Sequence, residues 1–168
     1  ILGPDLHEEV IRRIIAPTVR QMVEDGSPYS GVLYAGLMLT PEGPKLIEYN
    51  CRFGDPECQV LMMRLDGDLG ELMLACAHGR LGEVEPPRFA SDTALTVVMA
   101  AKGYPGTPEK GGAIGGIGEA ESKGAKVFHA GTAQAGAKIV ASGGRVLAVT
   151  ALGETVEDAR KTAYSTVE

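Results

Sequence analysis

The chain has 168 residues, 44% of them hydrophobic, which suits one ordinary domain or two small ones and not a disordered segment. A net charge of -6 with no run of Lys and Arg argues against a nucleic-acid surface, and no apolar stretch approaches the ~20 residues of a membrane span. Its three cysteines, Cys51, Cys58 and Cys76, form no CxxC pair, so neither a disulfide framework nor a zinc site is expected, and a cytoplasmic location is the simplest.

The start, ILGPDLHEEV without an initiator Met, suggests a piece of a longer protein. Pro4 and Asp5 open a helical pattern in which Leu6, Val10, Ile14 and Val19 recur, with Pro17 as a kink or break and Gly26 as the stop. His7 begins HEEVI, which lacks the second histidine of a zinc-protease motif. GVLYAGLMLT then reads as a strand, PEGP as a turn and KLIEYNCRF as the antiparallel return.

Strand alternation puts Ile47, Tyr49, Cys51 and Phe53 on one face, expected to be core, and Glu48, Asn50 and Arg52 on the other. Glu48 and Asn50 offer two hard oxygen donors, the partial set magnesium uses when phosphates and water complete its shell. Arg52 adds a planar cation suited to phosphate. The plain alternative is a solvated polar face, which antiparallel sheets commonly have.

Gly54 releases the chain, and Asp55-Pro56 reads as an N-cap followed by proline at the first position of a helix through CQVLMMRL. Amides at that helix start would favour an anion beside Arg52. Asp55 is open to a capping role, to contact with a substrate amine, or to both. A second helix, DLGELMLACAHG, ends at Gly79, and the helix dipole accounts for His78 before it.

EVEPPRFASD reads as a linker, which divides the chain into domains at 1–85 and 86–168. The glycine-rich KGYPGTPEKGGAIGGIG has neither GxGxxG nor a P-loop and is expected to be a flexible loop. Strands are expected at TALTVVMAA, AKVFHAGTA, AKIVAS and RVLAVTALG, the last two joined as a hairpin at Gly143-Gly144. Thr155 and Asp158 resemble a capping box for a final helix, inside which the chain stops at Glu168.

The run GVLYAGLMLTPEGPKLIEYNCRFGDPECQVLMMRL closely resembles the ATP-grasp ligases of purine biosynthesis, specifically the phosphoribosylamine-glycine ligase (glycinamide ribonucleotide synthetase) family. The likeness continues in GPDLHEEVIRRIIAPTVRQM, KGYPG, VFHAGT and GGRVLAVTALGETVEDAR, and so covers essentially the whole chain. It implies an α+β fold: the C-terminal part of an ATP-grasp domain, an antiparallel sheet with helices, followed by a small mixed α/β domain.

The resemblance also implies an activity, the ATP-dependent joining of glycine to 5-phosphoribosylamine through a glycyl phosphate, with Mg2+ or Mn2+. In that pattern Glu48 and Asn50 match the metal ligands, Arg52 the phosphate-facing arginine, and Gly54 with Asp55 the loop lining the substrate site. Arg52 and Asp55 are the expected catalytic residues. His129 matches a segment facing the active cleft, and Lys102 and Arg145 are further candidates for substrate phosphate. Many other ATP-grasp enzymes place another metal-binding Glu twelve residues before the first ligand, where this chain has Gly36.

By the same resemblance, the glycine- and sugar-binding domain, the ATP-covering lid and most of the adenine pocket would precede Ile1, so this chain alone is expected to be inactive. Two other readings stand beside it: another ATP-grasp carboxylate-amine ligase, and a non-catalytic nucleotide-binding or assembly module.

Overall fold

The structure, a computed structural model, describes residues 3–167. The chain forms two compact units, one from the stretch through Gly54 with Asp68–Pro86, the other from Asp55–Gly67 and the residues from Pro87 onward. All strand pairs among the described residues are antiparallel and alternate with helices, an α+β arrangement.

The N-terminal unit begins with α1 (Pro4–Val10), a π-helical turn over Ile11–Ile15 and α2 (Ala16–Glu24). Pro17 lacks the N–H that an α-helix needs, and the wider bonding of the π turn carries the helix past it without a break. Gly26, at φ +74°, ends the run. The hairpin of β1 (Tyr34–Thr40) and β2 (Gly43–Asn50) follows, closed by a two-residue turn at Pro41-Glu42. The Tyr49 hydroxyl lies 2.7 Å from Thr18 Oγ1 and donates to the Ile14 carbonyl at 3.2 Å, fastening β2 to the helix.

Two expectations for this hairpin need correction. Gly36 pairs with Glu48 but Leu37 pairs with Leu46, so Ile47 is the extra residue of a β-bulge and stands 63% exposed instead of in a core. Cys51 is exposed as well, leaving Tyr49 and half-buried Phe53 as the residues of that series with cover. The strand also ends at Asn50, so Arg52 lies past it and does not continue the Glu48 and Asn50 face.

The next helix, α3 (Glu57–Arg64), and β3 (Leu65–Asp66) belong to the C-terminal unit, and the chain returns to the first unit for α4 (Leu69–Ala77). Asp68 caps α4 by accepting from the Glu71 N–H at 3.0 Å. Its far end is a Schellman motif: Gly79 N–H donates to Cys76 O, Arg80 N–H donates to Ala75 O, and Gly79 takes φ +66°.

In the C-terminal unit β3 pairs with β4 (Arg88–Phe89), and the Arg64 guanidinium grips the Ala90 carbonyl with two hydrogen bonds. The remaining elements are β5 (Thr93–Ala100), β6 (Ala113–Ile114), α5 (Ile117–Ser122), β7 (Ala125–His129), β8 (Thr132–Ala135), β9 (Lys138–Ala141), β10 (Arg145–Gly153) and α6 (Val156–Val167). They make two sheets, ordered β5-β10-β7 and β6-β9-β8. Central β10 is buried from Val146 to Ala151, and α6 contributes Ala159 and Ala163, both fully buried. Thr150, also fully buried, shares a 2.8 Å hydroxyl hydrogen bond with Thr96 on β5.

The expected single strand over 125–133 is two strands in different sheets. The turn between them needs Gly131, because a Cβ there would sit 2.6 Å from the Arg145 carbonyl oxygen and 2.7 Å from Gly143 Cα. Nor do β9 and β10 form a hairpin; Gly143-Gly144 carries the chain from one sheet to the other, and β9 instead pairs with β8 around Gly136 at φ +60°. The glycine-rich segment contains β6 and the start of α5 in addition to turns. The capping box is present: Asp158 N–H donates to Thr155 Oγ1, and Thr155 N–H donates back to Asp158 Oδ2.

Candidate functional site

In the N-terminal unit, regular pairing resumes after the bulge with Gly36 opposite Glu48, Ala35 opposite Tyr49 and Tyr34 opposite Asn50. Glu48 and Asn50 therefore point to one side, and Asn50 Nδ2 donates to Glu48 Oε1 at 3.3 Å. Across the ribbon, a Cβ at position 36 would fall 3.1 Å from Glu48 Cγ, so the glycine leaves the carboxylate stem its room. Arg52 is exposed and donates to the neighbouring Phe53 carbonyl at 2.6 Å. Gly54 is buried.

No group of three or more His, Cys, Asp or Glu among the described residues has the arrangement to hold a metal. A carboxylate and an amide within one hydrogen bond of each other, open to water, nevertheless suit a hard divalent ion that keeps several waters and brings its own phosphates.

The other expected residues lie in the C-terminal unit. Arg145 opens β10 opposite Ala100, Lys102 follows just beyond Ala100, and His129 ends β7 opposite Leu147, so antiparallel register collects a guanidinium, an ammonium and an imidazole at one end of a sheet. Each already has a partner. Lys102 Nζ meets Glu109 Oε1 at 2.8 Å, and Glu109 N–H donates to the Lys102 carbonyl, closing the turn between them. His129 Nδ1 lies 3.1 Å from Thr132 Oγ1.

Arg145 spreads over Asp55, its Nη2 donating to Oδ2 at 2.8 Å and its Nη1 to the main-chain carbonyl at 2.9 Å. Asp55 is thus not the N-cap: α3 begins at Glu57 with Pro56 before it, and the carboxylate is held by Arg145 and, through Oδ1, by Gln59 Nε2 at 3.2 Å. Burial first, and then the negative charge of Asp55, push the neighbouring Cys58 thiol above its ordinary value, so it stays protonated near neutrality. Arg145 as a partner of Asp55 escaped the sequence reading because nothing local in a chain marks a contact across 90 residues, whereas Gln59 lies only four residues on.

Residues 1–58, which contain the antiparallel hairpin carrying Glu48-x-Asn50, match the model of an ATP-grasp domain, the A domain of phosphoribosylglycinamide synthetase. Residues 94–168 match the C domain of the same synthetase. The chain belongs to the phosphoribosylglycinamide synthetase family. Over its full length it is 55% identical to a phosphoribosylamine-glycine ligase of Mesorhizobium japonicum and 52% to one of Caulobacter vibrioides, covering 39% and 40% of them.

The crystal structure of phosphoribosylamine-glycine ligase from Thermotoga maritima superposes with a TM-score of 0.83 at 36% identity, over 99% of this chain and 41% of that one. The chain thus spans about two fifths of the length of the curated relatives it matches. No helix among its described residues is long and apolar enough to cross a membrane.

Proposed function

We propose that this chain supplies the metal-holding ribbon and the C-terminal domain of a phosphoribosylamine-glycine ligase, with the boundary between its ATP-grasp part and that domain near Pro86. The observation that carries the reading is the Glu48 and Asn50 pair on β2, in a chain alike throughout to ligases of that name. In the reaction, a glycine carboxylate oxygen attacks the γ-phosphorus of ATP and ADP leaves. The amine of 5-phosphoribosylamine then attacks the acyl carbon of glycyl phosphate, losing a proton as inorganic phosphate departs with its bridging oxygen.

Glu48 and Asn50 would hold Mg2+ or Mn2+, which supplies charge neutralisation at the ATP phosphates. Arg52, which here donates to the Phe53 carbonyl, would offer its guanidinium to the transferred phosphoryl group, where a planar cation stabilises developing charge. Gly54 and Asp55 line the substrate side, and Asp55 presents a carboxylate to the substrate amine. Lys102 and His129, exposed at the sheet end, are the residues offered to the sugar phosphate. Three free cysteines agree with a cytoplasmic setting.

The test is to measure ADP release with glycine and freshly made phosphoribosylamine, for this chain alone and after adding the N-terminal portion of the Mesorhizobium japonicum ligase. Activity only in the mixture, lost in Glu48→Gln, is expected because positioning of the three substrates needs both parts. Magnesium-nucleotide binding without turnover in the mixture would point to a non-catalytic module, and turnover with a different amine acceptor to another ligase.

A further inference from the structure

Arg145 is held in place more firmly than a surface cation requires. Its carbonyl accepts from Gly131 N–H at 2.8 Å, and the preceding Gly144 carbonyl accepts from Ala101 N–H at 2.8 Å. Gly144 lies under the Tyr104 ring so closely that a Cβ would come within 2.6 Å of Cδ2. The β5-β10 register shifts between Arg145 and Leu147, and such a bulge re-aims the side chain beside it. The guanidinium then reaches both the carboxylate and the main-chain carbonyl of one residue, Asp55.

We propose that Arg145 is a positioning residue that fixes backbone and side chain of the Asp55 turn for the substrate, and is not itself a phosphate ligand. The role at Asp55 rests on the ligase reading above. Two donors in a rigid fork set an angle as well as a distance, which a lysine ammonium does not. The pair is 38% and 43% exposed, so its contribution to stability is small, and what two hydrogen bonds on one residue chiefly supply is orientation. Gln59 Nε2 donates to the second carboxylate oxygen from α3 at 3.2 Å, so both Asp55 oxygens have a donor. Two of the five Arg145 N–H donors are committed to Asp55, which holds the guanidinium in that orientation.

The test compares Arg145→Lys, Arg145→Met and Asp55→Asn in the full chain by amide hydrogen exchange and thermal unfolding. Exchange at the α3 amides of residues 60–64, whose hydrogen bonds close the helix that this turn opens, should rise about tenfold or more in both arginine variants, with no rescue by lysine, while amides of β5, β10 and α6 keep their protection. Wild-type exchange at 60–64 in Arg145→Lys, or loss of protection throughout the unit, would overturn the proposal. So would a shift of the Arg145 guanidinium resonances on adding ribose 5-phosphate.

In the reconstituted mixture, Arg145→Lys should lower kcat about tenfold with the KM for ATP unchanged; a raised KM for phosphoribosylamine at normal kcat would make Arg145 a substrate ligand instead. Absence of turnover in the wild-type mixture would count against the ligase reading, and the exchange measurement would still decide the role of Arg145.

Discussion

The two units bury their sheets in different ways. In the C-terminal unit the middle strand is covered: Val149 is 2% exposed, Ala151 and Thr150 are fully buried, and α6 packs over β10 and β5. In the N-terminal unit the ribbon that carries Glu48 and Asn50 is two strands wide, and Met38, Leu39, Leu46 and Ile47 are 41–63% exposed. A two-stranded ribbon cannot bury both faces, so its stability rests on Tyr49 and the helix behind it. The candidate metal ligands therefore stand on the less covered scaffold, and the supporting residues around Arg145 stand on the better packed one.

That contrast predicts unequal responses to mutation. Val149→Ala should destabilise the C-terminal unit by about 2–3 kcal/mol, from the lost methyl burial and the cavity left in a core that cannot collapse freely. Denaturant unfolding monitored at Tyr104 and at Tyr49 separately would show the loss at the first probe. An equal loss at both would mean that the units unfold as one. Ile47→Thr, at the exposed bulge, should change stability by less than about 0.5 kcal/mol by the same measurement. A loss above about 1 kcal/mol would mean that the ribbon is covered in solution.

What could be read from the sequence follows the range of the interactions. The first helix, the β1-β2 turn, the helix ending at Gly79 and the Thr155–Asp158 box all depend on residues within a few positions, and each is where the pattern puts it. The failures arise where a distant backbone decides. Gly131 turns the chain because Gly143 and Arg145 pack against it, which splits one apparent strand and moves β9 and β10 into separate sheets. Alternation misplaces Ile47 because a bulge adds one residue to the count, and it carries Arg52 onto a strand that has already ended.

At the candidate site the same division holds. Glu48 and Asn50 were legible because i and i+2 in a strand share a face, and Arg52 and Gly54 because they adjoin them. Asp55 was legible as a residue but not in its bonds: a favourable N-cap sequence lost to a guanidinium 90 residues away. His129 could be named from resemblance, and Lys102 and Arg145 only as cations suited to a phosphate or to solvent; it took the β5-β10-β7 register to bring the three to one sheet end.

The central claim is that Glu48 and Asn50 hold the divalent ion that accompanies ATP. It is tested most directly by placing Mn2+ and a non-hydrolysable ATP analogue on the chain, together with the N-terminal portion of the Mesorhizobium japonicum ligase, and following paramagnetic broadening of amide resonances. The strongest broadening is predicted at residues 48 and 50, with loss of that effect in Glu48→Gln. Broadening centred elsewhere, or unchanged in Glu48→Gln, would contradict it.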